Sequence, residues 1–115
     1  MMHEELRAER LASNQALFRL VNEEMLALNE AFAANDAGDA GFVCECAHLD
    51  CVEHIEITLA DYADVRSNQR WFLTAPSEEH VFPEVEQIIA RTDHYFVVEK
   101  LGVAGEVAEQ AAEKR

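Results

Sequence analysis

The chain has 115 residues, half of them hydrophobic, and carries 23 acidic against 9 basic side chains, a net charge of −14. This length and composition are typical of a single folded domain with a modest core, and they argue against disorder of the whole chain. Nucleic-acid and anionic-lipid binders neutralise phosphates with clustered Lys and Arg, so an acidic chain with scattered basic residues is not expected to bind either.

The sequence also argues against membrane insertion and secretion. No apolar run approaches the roughly 18 residues of a membrane span. The first residues are acidic, where a secretory signal would be basic and then apolar. We therefore expect a cytoplasmic protein whose charge mainly supports solubility.

The N-terminal part predicts one long helix, a helical arm over residues 1–34. No Gly or Pro occurs between Met1 and Asp36, and helix-favouring residues dominate. Steps of three and four alternate as in a coiled-coil seam, whose members are Leu11, Asn14, Phe18, Val21, Met25, Leu28 and Phe32, with Asn14 as the polar member. The helix either packs on its own domain or forms a homodimer. We favour the homodimer slightly, because a small domain hardly covers both faces of so long a helix.

Residues 35–41 are small, acidic and turn-prone, which predicts a linker. The compact domain then spans residues 42–101, and residues 102–115 form a tail that is partly helical. Thr58 and Asp61 resemble a capping box that opens a helix over residues 59–67. Pro83 fits the first turn of another helix, over residues 83–91. With strands near residues 42–44, 55–59, 71–74 and 95–100, the prediction is an α+β fold: a long N-terminal helix followed by a small ββαβαβ domain stabilised by zinc.

All three cysteines, Cys44, Cys46 and Cys51, fall within eight residues of one another. Structural zinc takes four ligands, mostly thiolates and imidazoles, so a histidine is needed to complete the set. His80 ranks first, because a ligand from a distant loop would join two halves of a thin core. His54, just before a strand, ranks second. His48 ranks third, because the short cysteine loop would be crowded.

The zinc interpretation has alternatives. Only one residue separates Cys44 from Cys46, whereas common structural pairs have two to four residues between the cysteines. The cysteines could instead be small buried hydrophobes, or include one disulfide, which a cytosolic setting disfavours.

The same residues favour a non-enzymatic role. Three thiolates and an imidazole leave zinc no open position for water, although Glu45 and Glu53 lie close enough in sequence to be considered as general bases. The zinc-deaminase, phosphate-loop, nucleophile-elbow and His-Glu-x-x-His patterns are absent from the sequence. The leading hypothesis is a zinc-stabilised protein–protein interaction or regulatory module with an unidentified protein partner. The alternatives are a thiol/zinc redox sensor and, ranked lower, a metal-dependent hydrolase or an acidic nucleic-acid mimic.

Two stretches, residues 14–23 and residues 42–51, resemble a family of small uncharacterised bacterial proteins of actinobacterial type. The resemblance continues through residues 55–59, His80 and residues 95–100, and so covers most of the chain. It implies a histidine ligand at His80, within a Pro-Gly-His segment that residues 76–80 of this chain do not keep. It implies no activity.

Overall fold

The computed structural model describes residues 2–32, 39–48 and 50–113. The elements in chain order are α1 (Met2–Phe32), β1 (Asp39–Val43), β2 (His54–Thr58), α2 (Leu59–Arg66), β3 (Trp71–Thr74), a 3₁₀ turn (Glu78–His80), β4 (Glu86–Arg91), β5 (Phe96–Lys100) and α3 (Gly102–Glu113). The α+β class with a long N-terminal helix is confirmed. The order after α1 is ββαβββα, which differs from the predicted ββαβαβ. Among the described helices, none combines the length and apolarity needed to cross a membrane.

The strands form two small antiparallel sheets. In the first, β1 pairs with β2, and Phe42 lies opposite Ile55. In the second, β5 lies between β3 and β4. β5, which has a neighbour on each edge, has four buried residues among its five. The predicted cap of α2 is present, since the Thr58 hydroxyl accepts a hydrogen bond from the Asp61 N–H at 3.0 Å.

The predicted helix over residues 83–91 is wrong, because most of that segment is strand β4. A single turn does form after Phe82, whose carbonyl accepts the backbone N–H of both Val85 and Glu86. The turn does not propagate, since Glu86 lies opposite Lys100 of β5 and the two side chains form a buried ion pair. The β-branched Ile88 adds to the preference for a strand.

The linker predicted at residues 35–41 overlaps β1, which begins at Asp39. Residues 35–38 lie outside the described residues. The C-terminal tail forms the twelve-residue helix α3, which packs along α1 and contacts β5. Gly102 has a φ of +54°, a left-handed conformation that lets the chain turn directly from β5 into α3.

The main core lies between the first sheet, α2 and β3. Phe42 of β1 and Tyr62 of α2 are both fully buried, and their rings stack with centroids 4.3 Å apart. Ile55, Ile57 and Leu73 complete the packing around them. Cys44 and Cys46 belong to the same buried cluster, so the predicted metal ligands lie at the edge of the core.

Helix α1 docks on this body through polar as well as apolar side chains. Gln15, Arg19 and Asn22 are almost fully buried, and they follow one face of the helix at steps of four and three. Burying such groups is costly unless each finds hydrogen-bond partners. Their partners are two buried carboxylates, those of Glu45 and Glu86.

The Glu45 carboxylate joins three elements of the fold. It accepts hydrogen bonds from Arg19 at 3.3 Å, from Asn22 at 2.8 Å, from the Leu73 backbone N–H at 2.9 Å and from the Tyr62 hydroxyl. Burial and the nearby carboxylate raise the pKa of Tyr62 above its ordinary value, so the phenol stays protonated and donates. Glu45 therefore fixes α1, α2 and β3 against one another.

The second carboxylate, that of Glu86, is also buried. It accepts from Gln15 at 3.0 Å and pairs with Lys100. The Arg19 guanidinium lies 4.2 Å from the Phe72 centroid and the Lys100 ammonium 5.7 Å from it. Two buried cations thus share one aromatic ring, and each has a carboxylate partner.

The predicted coiled-coil seam is divided between the two sides of α1. Leu11 is buried and packs near α3, Asn14 donates to the Ala47 carbonyl at 3.2 Å, and Met25 packs against the main core. Val21 and Leu28 face outward instead. The side chain of Phe32 lies outside the described ones. The other seam residues do not form one continuous surface, because the polar contacts to Glu45 and Glu86 set the rotation of the helix.

Glu45→Ala tests the docking network. We expect it to lower the free energy of unfolding by about 3–5 kcal/mol, because it leaves the buried Arg19 charge without its partner. Denaturant unfolding at fixed zinc concentration measures the change. The control is Glu56→Ala at an exposed position of β2, expected to stay within about 0.5 kcal/mol of wild type. Equal stability of the two variants would contradict this role of Glu45.

Candidate metal centre

The four side chains predicted to bind zinc come from three places in the chain. Cys44 and Cys46 follow β1, Cys51 lies in the loop before β2, and His80 ends the 3₁₀ turn after β3. The structure brings these four together: three Sγ atoms and one imidazole nitrogen all lie within 4.8 Å of one another. They form a group that can hold a metal ion.

Two of the distances between ligand atoms match the edges of a tetrahedral zinc site. The His80 Nδ1 lies 3.6 Å from the Cys44 Sγ and 3.7 Å from the Cys51 Sγ. Zinc bonds of about 2.3 Å to sulfur and 2.0–2.1 Å to nitrogen give tetrahedral edges of about 3.6 Å between S and N and about 3.8 Å between two S atoms. The observed sulfur–nitrogen separations agree with those edges.

Backbone hydrogen bonds hold the cysteine loop in place. The Cys44 N–H donates to the Glu53 carbonyl at 3.1 Å, and the Cys51 N–H donates to the His48 carbonyl at 3.1 Å. The Glu45 N–H donates to the Leu73 carbonyl at 2.7 Å, which ties the loop to β3. The loop is therefore positioned by the protein itself and presents its sulfurs on one side.

A further donor stabilises charge on a sulfur. The Ala75 backbone N–H lies 3.2 Å from the Cys44 Sγ and donates to it. Such donors around a thiolate ligand orient it and tune the metal it binds. The sequence offers no signal for this contact, because any residue at position 75 other than proline supplies the same N–H.

The three thiols differ in the direction in which their surroundings shift the pKa. A hydrogen bond from Cys44 lowers the pKa of the Cys46 thiol to about 5, whereas that same bond and burial raise the pKa of Cys44. Burial also raises the pKa of Cys51. A metal ion that takes all three as thiolates displaces protons from Cys44 and Cys51, so metal affinity falls as the pH falls.

The other two candidate histidines lie outside the four-residue group. His54 is exposed on β2, where it pairs with Val43. The His48 Nε2 lies 3.2 Å from the Glu79 carbonyl, and its ring stands edge-on to His80 with centroids 6.4 Å apart. When protonated at Nε2, His48 donates to the backbone of the turn that carries His80.

Glu45 does not face the sulfurs, although it lies between two of them in sequence. Its side chain reaches the docking network on the other side of the extended segment, toward α1. Side chains alternate in an extended chain, so one intervening residue places Cys44 and Cys46 on the same side. The short Cys-x-Cys spacing thus lets the cysteines contribute to the candidate metal site while Glu45, between them, contributes to the docking network.

An open pocket of about 510 Å³ lies over the outer side of the cluster. Cys51 and His80 line it together with His48, Asp50, Val52, Glu53 and Glu79. Cys44 and Cys46 are buried, whereas Cys51 and His80 are partly exposed. Solvent and small molecules therefore reach the cluster from the Cys51 side.

His80→Ala tests the fourth ligand. We expect the wild-type chain to bind one zinc ion and the variant to bind it at least about 100-fold more weakly, because a ligand itself is worth more than the supporting contacts around it. Chelator competition measures the affinity. The matched control is His54→Ala, expected to bind zinc as wild type does. Unchanged affinity in His80→Ala would contradict the assignment.

Comparisons with models of protein families, with curated proteins and with solved structures found no match to this chain. The resemblance to a bacterial family of actinobacterial type stays a prediction.

Proposed function

We propose that the protein is a non-enzymatic interaction module whose fold is stabilised by one structural zinc ion. The observation that carries this proposal is the closed set of four soft ligand atoms within 4.8 Å, drawn from three separate segments. Zinc suits three thiolates and an imidazole in a tetrahedron. By joining the β1–β2 loop to the turn after β3, the ion stabilises a small core.

A structural ion fits the donor set better than a catalytic one. Three thiolates with a divalent ion leave a net charge of −1, which weakens the ion as a Lewis acid, and four protein ligands leave no position for a reacting water. Glu45, the nearest carboxylate in sequence, already accepts four hydrogen bonds in the docking network. Proton transfer by Glu45 would break that network.

The interaction surface that we propose is the outward face of α1. Leu17 lies roughly 160° around the helix from both Gln15 and Arg19, given 3.6 residues per turn. The apolar residues of this outward stripe are Leu6, Leu17, Leu20, Val21 and Leu28, which are 57%, 56%, 41%, 45% and 59% exposed. Contiguous exposed apolar surface favours association, and a second copy of the chain is the partner that we propose.

Leu17→Glu tests the surface without touching the core. We expect wild type to be a dimer by light scattering and Leu17→Glu to be a monomer, since a buried glutamate without a partner opposes association. Zinc content and circular dichroism should equal those of wild type. The matched control is Ala63→Glu on the exposed side of α2, expected to stay dimeric. A monomeric wild type would contradict the homodimer, while a zinc-free chain with an unchanged fold would contradict the structural ion.

A second candidate function is a thiol/zinc redox sensor, favoured by the partial exposure of Cys51 at the open pocket. Cys51 and Cys46 would give up two electrons to a peroxide and form a disulfide. The peroxide would take up those electrons and two protons from solvent, so that hydrogen peroxide leaves as two molecules of water and an organic hydroperoxide as one alcohol and one water. Loss of two thiolate ligands would release the zinc ion.

Zinc release against peroxide dose decides between the two functions. A sensor is expected to release zinc, seen with a zinc-responsive dye, at doses that leave the methionines unoxidised by mass spectrometry, and thioredoxin or dithiothreitol should restore binding. A structural site is expected to retain zinc at those doses. Retention in wild type would remove the sensor and leave the interaction module in place.

A further inference from the structure

We propose that two copies of the chain pair through antiparallel α1 helices centred near Leu17, with Arg10 of each copy facing Glu24 of the other. This inference rests on the proposed homodimer and adds its orientation and register. It is carried by the order of charged and apolar residues along the outward stripe of α1.

The outward stripe has the spacing of a helix–helix contact. Positions 6, 10, 13, 17, 20 and 24 follow one another at alternating steps of four and three, the repeat that keeps one face toward a partner helix. All six residues are exposed. From Leu6 to Leu28 the stripe runs about 33 Å along the helix at 1.5 Å per residue, which is long enough for orientation to matter.

Two opposite charges interrupt the stripe symmetrically. Arg10 lies seven residues before Leu17, and Glu24 lies seven residues after it. Both are exposed, and within the described part of the chain neither side chain forms an ion pair or hydrogen bond. Leu6 and Leu28 flank these charges at similar distances from the centre, eleven residues on either side of Leu17.

The charges distinguish the two orientations. In a parallel pair, Arg10 would lie level with Arg10 and Glu24 level with Glu24, so both contacts would be repulsive. In an antiparallel pair about Leu17, each Arg10 lies level with a Glu24, and each Leu6 lies level with a Leu28. Complementary charge favours the second arrangement and disfavours the first.

The antiparallel arrangement also closes on itself. A two-fold axis near Leu17 makes the contact isologous, since the same stripe serves both copies and no surface is left for a third. The polar face of α1 stays docked on its own body through Glu45 and Glu86. The dimer therefore uses surface that the fold itself leaves uncovered.

Charge exchange tests orientation directly. We expect Arg10→Glu and Glu24→Arg each to weaken the dimer by roughly tenfold or more, because each turns two attractive contacts into two repulsive ones. The double variant Arg10→Glu/Glu24→Arg should regain the wild-type dissociation constant to within about threefold, since it restores both pairs in reverse. Sedimentation at several concentrations and low salt measures all four proteins, and higher salt should shrink the differences.

The control is Asp93→Arg in the exposed β4–β5 loop, which makes the same charge change as Glu24→Arg and is expected to leave dimerisation unchanged. Circular dichroism and zinc content verify the fold of every variant. If the single variants dimerise as well as wild type, the antiparallel register is overturned. If they do so while Leu17→Glu remains monomeric, the proposed surface stands and only its orientation fails. A wild type that is monomeric at every concentration overturns both.

Discussion

A buried carboxylate is the constraint on which the architecture depends. Glu45 is fully buried, and an ionised carboxylate is stable there only with hydrogen-bond donors around it. Its donors come from α1, α2 and β3, while the residues on either side of it, Cys44 and Cys46, contribute their sulfurs to the group that can hold a metal ion. The helix-docking network and the candidate metal site therefore share three consecutive residues, so a change in the geometry of one is expected to affect the other.

The elements predicted best from sequence are those with strong local signals. The Thr58–Asp61 cap, the alternation in β2 and the long Gly- and Pro-free segment of α1 each reflect short-range physics. The helix predicted after Pro83 is wrong, because the segment forms a strand that depends on pairing with β5 and on the ion pair between Glu86 and Lys100. Helix propensity depends on neighbouring residues only, so it does not predict pairing with another strand.

The ligands of the candidate metal site could be predicted from the sequence for a different reason. Soft ligands are few, so three cysteines in eight residues and a small number of histidines restrict the possible sets. Sequence ranked His80 first, but only the fold places its Nδ1 against Cys44 and Cys51. The docking role of Glu45 was missed, although the Cys-x-Cys spacing held the signal: in an extended segment the middle residue faces away from its neighbours.

Helix α1 differs from an ordinary surface helix in the middle of its length, where Gln15 and Arg19 lie inward and Leu17 lies outward. Directional hydrogen bonds tolerate little displacement, so the inward face holds the helix in one rotation and one axial position. Apolar contacts tolerate exchange among residues of similar volume. Evolution can therefore rewrite the outward leucines, and with them the choice of partner, without disturbing the seating of the helix. The docking contacts, which must stay constant, and the partner-binding residues, which are free to diversify, thus lie on opposite sides of α1.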